Sequence, residues 1–242
     1  MKLSNKFFTS LLALGLIAAI SSCNSNTDTK TEEPKKDTAT AEVAPPPPPA
    51  FTPFDVAEIT HSVKDYAKWR PFFDADSVNR KSNGLYETMV VATEMDKPNN
   101  VFLVLGMSDM QKAKDFAANP KLKEVMDKAG VTSKPGIQYF HVIRFDPEAK
   151  EKQWVMITHK VKDFDAWLKV YDGEGTAKRA SEGMADAVMA RGIEDPNLVQ
   201  IVFDIKDMAK AKAALFSEEK KNLMTSAGVE GKPVITFYKS MD

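Results

Sequence analysis

Two histidines sit in two copies of one sixteen-residue stretch. His61 lies in ITHSVKDYAKWRPFFD (residues 59–74) and His159 in ITHKVKDFDAWLKVYD (residues 157–172), 98 positions later. Imidazole titrates near neutral pH and can donate, accept, ligate a metal or move protons, so a His repeated in register is a candidate catalytic or ligand-binding group. Packing is the competing explanation. On strand parity each His shares a face with apolar neighbours, Ile59 and Val63 or Ile157 and Val161, a setting that suits a buried imidazole. Asp65 and Asp163 follow the histidines by four residues; each stands just before an apolar-periodic run, the place of a helix N-cap, with a metal role as the alternative. Trp69 and Trp167, with Tyr66, Phe73, Phe164 and Tyr171, recur at helical spacing and read as core. Arg80 and Arg179 fall near a helix end, where a cation suits the helix dipole or meets an acidic ligand.

These residues need elements to position them. In the first copy, residues 56–63 read as a strand, and Asp65 starts a helix that runs through Val78 to Asn83-Gly84. LYETMVVATE is a second strand, Lys97–Asn100 a turn, and VFLVLGM a third strand. Asp109 caps a helix interrupted at Asn119-Pro120 and stopped at Ala129-Gly130, and IQYFHVIRF is the fourth strand. The second copy repeats the order, with Asp163 and Asp207 as caps, a turn at Asp195–Asn197, and one helix from Met208 to Ala227. Both copies are strand, helix, strand, strand, helix, strand. The expected fold class is therefore α+β, with two tandem ferredoxin-like βαββαβ repeats packed sheet to sheet.

The third strands show why the unit is duplicated. Val101, Leu103, Leu105 and Met107 match Val199, Ile201, Phe203 and Ile205, an apolar face for the helices. The other face differs between copies. One sheet alone would leave that face bare, and the duplication lets the chain cover it with its own second sheet. A cavity between the sheets would be lined where the copies disagree, which makes Tyr86, Phe102, Arg191, Gln200 and Asp204 candidate ligand-binding residues.

The pattern [IV]-T-H-x-V-K-D-[YF]-x-x-W-x-x-x-[FY]-D, followed by D-M-x-K-A-K, A-G-V and K-P, resembles the dimeric α/β-barrel superfamily. That group includes antibiotic-biosynthesis-monooxygenase-like and stress-responsive A/B-barrel proteins. The resemblance covers Phe54 to Asp242. It implies a barrel normally made by two chains and here held in one, so a monomeric barrel domain. It also implies, as alternatives, a cofactor-free oxygenase or a haem-associated enzyme, either of which needs His61 or His159 to face the inter-sheet cavity. It brings no catalytic signature that these residues match.

The flanks suggest location. Residues 1–22 have the Lys2 and Lys6 n-region and the apolar run of a signal peptide, and Ile20-Ser21-Ser22-Cys23 resembles a lipobox. Cys23, the single Cys of the chain, is then the lipidated residue, and the chain can form no internal disulfide or Cys-based zinc site. Residues 23–53 read as a polar tether with five consecutive prolines, Pro45–Pro49. Residues 54–150 and 151–242 are the two repeats. Without residues 1–22, 31 basic side chains face 34 acidic ones. That balance gives no basic stripe for nucleic acid. The expected protein is extracytoplasmic and lipid-anchored, at the outer rather than the inner membrane. It binds a small ligand or partner, with no metal and no evident cofactor. No Gly-rich phosphate loop, Ser-His-Asp order or HExxH is present.

Overall fold

The computed structural model describes residues 51–242; the expected leader, the expected lipidation site Cys23 and nearly all of the expected tether lie outside the described residues. The first repeat contains β1 (Phe54–Ser62), α1 (Tyr66–Ala75), α2 (Ser77–Ser82), β2 (Leu85–Glu94), β3 (Lys97–Met107), α3 (Met110–Ala117), α4 (Pro120–Ala129) and β4 (Gly136–Phe145). The second contains β5 (Gln153–Val161), α5 (Phe164–Glu174), α6 (Thr176–Ser181), β6 (Met184–Gly192), β7 (Leu198–Ile205), α7 (Met208–Leu215), α8 (Glu218–Ser226) and β8 (Val229–Ser240).

Caps set the helix starts. Asp65 accepts from Lys68 N at 3.2 Å and Asp163 from Ala166 N at 2.7 Å, while Asp109 and Asp207 do the same for α3 and α7. Several boundaries differ from the sequence reading, β8 among them, which starts at Val229 and carries Pro233 within it. The helix expected to run to Asn83 breaks at Asp76. The single helix expected over Met208–Ala227 breaks at Phe216, and Ser217 caps a fresh helix by accepting from Lys220 N at 3.1 Å. The turn expected at Lys97–Asn100 lies at Met95-Asp96, because Glu94 already pairs with Lys97; Pro98 is tolerated near the start of β3, where its missing N–H costs little.

The strands close into one barrel in the order β1-β3-β2-β8-β5-β7-β6-β4, every pair antiparallel. Each repeat contributes a ferredoxin-like sheet, β4-β1-β3-β2 or β6-β7-β5-β8. The sheets do more than face each other. Their edges pair, β2 with β8 (Glu94 opposite Tyr238) and β4 with β6 (Phe140 opposite Gly192), so no sheet edge is left open. Period-two alternation sends Val56, Phe102, Phe140, Trp154 and Tyr238 inside the barrel and Ala57, Leu103, Leu105, Ile157 and Phe203 out toward the helices.

The two helix layers are packed differently. In the second repeat the core between helices and sheet is one continuous cluster that includes Trp167, Tyr171, Ile201, Phe203 and Leu215. In the first repeat it is split, with Leu105 and Phe116 in one cluster and Trp69, Val91 and Leu103 in another.

Candidate ligand-binding groove

The split core borders a groove of about 790 Å³ between the helices and the outer face of the first sheet. Ile59 of β1 and Leu103 and Leu105 of β3 form its floor; Trp69 and Phe73 of α1, Phe116 of α3, and Leu122 and Met126 of α4 form its walls. The volume is in the range of small-molecule sites. The corresponding space in the second repeat is about 50 Å³.

Aligned repeats explain the difference residue by residue. Phe116-Ala117 stand where the second repeat has Ala214-Leu215, which moves the bulky side chain by one position, about 100° around the helix. Leu215 is buried in the second core, and nothing fills the equivalent volume at Ala117. Leu122 stands where the second repeat has Lys220. Lys220 Nζ pairs with Glu182 Oε2 at 2.9 Å and with Glu174, tying α8 to the end of α5 and to the C-cap of α6. The first repeat has Asp76 and Asn83 at those acidic positions and an apolar Leu122, so that strap is missing.

His61 and His159 face the helices and not the barrel interior. His61 lies 5.4 Å from Trp69 and His159 5.5 Å from Trp167, each at an interplanar angle of 59°. In both, Nδ1 and Nε2 are covered and have no hydrogen-bond partner. Burial pulls each imidazole down to about 4, so both are neutral at pH 7. The two imidazoles keep the same geometry beside a large groove and beside a tiny one.

The barrel interior is a separate cavity of about 490 Å³. Three of the expected lining residues, Phe102, Gln200 and Asp204, are there. Glu58, which the sequence reading passed over, lies with them. It is 7% exposed and accepts from Gln200 Nε2 at 2.8 Å, a bond between the repeats. Burial pushes its carboxyl up to about 7, against the lowering effect of that bond. Burial also raises Asp204, opposed by the hydrogen bond it accepts from Glu151 N at 3.1 Å.

The other two expected lining residues, Arg191 and Tyr86, do not border this cavity, though Tyr86 lies over the inward-facing side of β3 at its end. Arg191 is on the helix side, its guanidinium 3.7 Å over Phe164 and its Nε bonded to the Pro196 carbonyl at 2.7 Å. Tyr86 occupies a β-bulge between Leu85 and Glu87 and covers Gly106 at the sheet end; a Cβ on Gly106 would meet its ring at 2.6 Å. The second repeat has no bulge residue there, so strand parity alone could not place Tyr86. The groove itself was missed because it arises from exchanges on helix faces, Ala117 for Leu215 and Leu122 for Lys220, visible only when the repeats are compared position by position.

No known protein family and no curated protein matches the chain. Solved structures do. An anthrone oxidase-like protein superposes with a TM-score of 0.50 at 14% identity, over 78% of this chain and 92% of its own. A Fusobacterium nucleatum protein named as a presumed monooxygenase gives 0.50 at 12%, over 78% and 93%. The fold is the dimeric α/β barrel. In this chain both halves of the barrel belong to one polypeptide. An uncharacterised ferredoxin-fold protein from Listeria monocytogenes, related to antibiotic biosynthesis monooxygenases, is also similar, at 9% identity and a TM-score of 0.45 over 79% of this chain and 97% of that one. Likeness at such identities speaks for architecture and leaves activity to be argued from the site.

Proposed function

We propose that this is a lipid-anchored extracytoplasmic binding protein whose first repeat takes an elongated apolar small molecule in the groove between its helices and its sheet. The observation that carries the reading is the asymmetry of two otherwise matched repeats, about 790 Å³ of apolar-walled space in one and about 50 Å³ in the other. A cavity of that size lined by Trp, Phe, Leu and Met loses dispersion contacts and leaves apolar surface wet, a cost that a ligand recovers. Cys23, the Pro-rich tether and the net negative charge fit a domain held off a membrane, with the barrel acting as a monomer.

The test is native mass spectrometry on residues 24–242, which contain the whole barrel, after incubation with a lipid extract of the producing cell. The expected result is a retained species in the wild type that is lost in Ala117→Leu/Leu122→Lys, which installs the second repeat's filling. No retained species, or one that survives the double substitution, would overturn the reading.

A haem-associated enzyme is a second reading, and one observation favours it: His61 borders the groove with two unpartnered ring nitrogens. The fit is poor. Both nitrogens are covered, and His159 has the same orphaned nitrogens with no room beside it. In this arrangement His61 does not present a lone pair to the groove, and no catalytic step is derived through haem. Absorbance titration with haem decides between them: a binding band lost in His61→Ala and kept in His159→Ala supports the haem reading, and a band kept in both removes it.

A further inference from the structure

One buried cation in the groove lacks a partner that its copy possesses. Arg80, on α2, is 6% exposed and lines the groove. Its guanidinium lies 3.8 Å over the Phe73 ring, and its Nη1 donates to the Phe73 carbonyl at 2.5 Å. Its carboxylate contact is Asp76 Oδ2 at 3.8 Å from that same Nη1. Among the described residues, Nε and Nη2 have no hydrogen-bond partner.

Arg179 is the same residue in the second repeat, in the same frame. It lies 4.1 Å over Tyr171, and its Nη1 reaches the Tyr171 carbonyl at 3.0 Å and Glu174 at 3.5 Å. Here the other edge is filled: Nε and Nη2 clasp the two oxygens of Asp186 at 2.6 and 2.7 Å. Asp186 pairs with Phe203 of β7, and the residue that pairs with the equivalent Leu105 of β3 is Thr88. The first repeat therefore has the buried guanidinium without that carboxylate. Burial works against both cations; Asp186 more than offsets it at Arg179, which is raised, whereas Arg80 stays lowered despite Asp76.

Resting on the groove reading, we propose that the ligand of the first repeat is an apolar carboxylic acid whose carboxylate docks on the Nε–Nη2 edge of Arg80, in the place that Asp186 takes beside Arg179. The second repeat is the internal template. It shows that this edge, in this frame, takes a carboxylate in fork geometry even with a second acid on Nη1. A guanidinium stays charged and holds two oxygens at once, so it selects a carboxylate over a hydroxyl of the same length. The apolar remainder of the acid fits the Phe, Leu and Met walls.

The probes are dodecanoate and 1-dodecanol, which share a chain and differ in the head group, titrated calorimetrically into residues 24–242 at pH 8. The acid is expected to bind about tenfold or more tightly than the alcohol. Arg80→Met, which keeps an unbranched apolar stem and removes the guanidinium that lies over Phe73, is expected to remove that preference by bringing acid affinity down to that of the alcohol. Thr88→Asp places a carboxylate at the strand position that Asp186 holds in the second repeat; it is expected to pair with Arg80, raise the melting temperature and bring acid binding down to the level of the alcohol, and it tests the idea even if Arg80→Met fails to fold. Equal binding of acid and alcohol in the wild type, or a preference untouched by Thr88→Asp, overturns the carboxylate inference and leaves the apolar groove standing. Binding of neither probe overturns both.

Discussion

Three buried groups carry opposite pH signatures. Glu58 is raised in the folded state from its ordinary value of 4.5 to about 7, so its contribution is fully present below about 4.5 and is lost as pH rises through about 7. A shift of that size is worth about 3 kcal/mol. His61 and His159 run the other way. Each is held down at about 4 from 6.5, so its contribution is present above 6.5 and is lost as pH falls toward 4. Denaturant melts at pH 4.5, 6 and 8 should therefore show Glu58→Gln gaining on wild type as pH rises, by up to about 3 kcal/mol at pH 8. His61→Leu and His159→Leu should each flatten the acid side of the profile, since each replaces two buried, unpartnered nitrogens with apolar volume. Variants that track wild type at every pH would show that these groups are solvated. At this scale the sequence was partly legible. The parity of Ile59, His61 and Val63 placed the imidazoles with the core. Glu58 was not recognised, because a lone acid in a strand gives no sign that Gln200 from the other repeat will meet it inside a barrel.

The helices decide which repeat is open. Ala117 and Leu122 mark the first groove, and Leu215 and Lys220 fill the second. Leu215→Ala should cost about 2–5 kcal/mol, the range for truncating a well-packed core Leu, because its cluster is continuous and tightly filled. Ala117→Leu should cost little or stabilise, because the methyls it adds enter existing space. Paired thermal melts check this; equal destabilisation by the two substitutions would mean that the first groove is not the cavity described. Caps, turns and strand order were readable from spacing because Asp, Gly and Pro signals are local. The helix break at Phe216 is also local, since Ser217 caps α8 with Glu218 and Glu219 in its first turn, but it was passed over because Met208–Ala227 was read as one helix; the break at Asp76 has no such capping bond. The bulge at Tyr86 likewise shifts the register of β2 with no sequence cue strong enough to fix it.

At the scale of the whole molecule, duplication produces a closed barrel in one chain. The β2–β8 and β4–β6 seams satisfy the edges that separate subunits would otherwise have to pair. Residues 24–242 should therefore run as a monomer in light scattering over a wide concentration range, and a dimer would mean that the halves pair between chains. The sequence repeat made this architecture legible, because a single ferredoxin-like sheet cannot cover its second face. Duplication also freed the copies to diverge. One kept a filled core with Arg179 paired to Asp186; the other opened a groove and left Arg80 without that partner. The three Trp side chains of the chain report on the three spaces separately: Trp69 on the first groove, Trp154 on the barrel interior and Trp167 on the second repeat. The most direct measurement is fluorine NMR of the chain labelled with 5-fluorotryptophan, titrated with dodecanoate. The account predicts that the Trp69 resonance shifts while Trp154 and Trp167 stay in place. A titrating shift at Trp154 or Trp167 with Trp69 unmoved would contradict it.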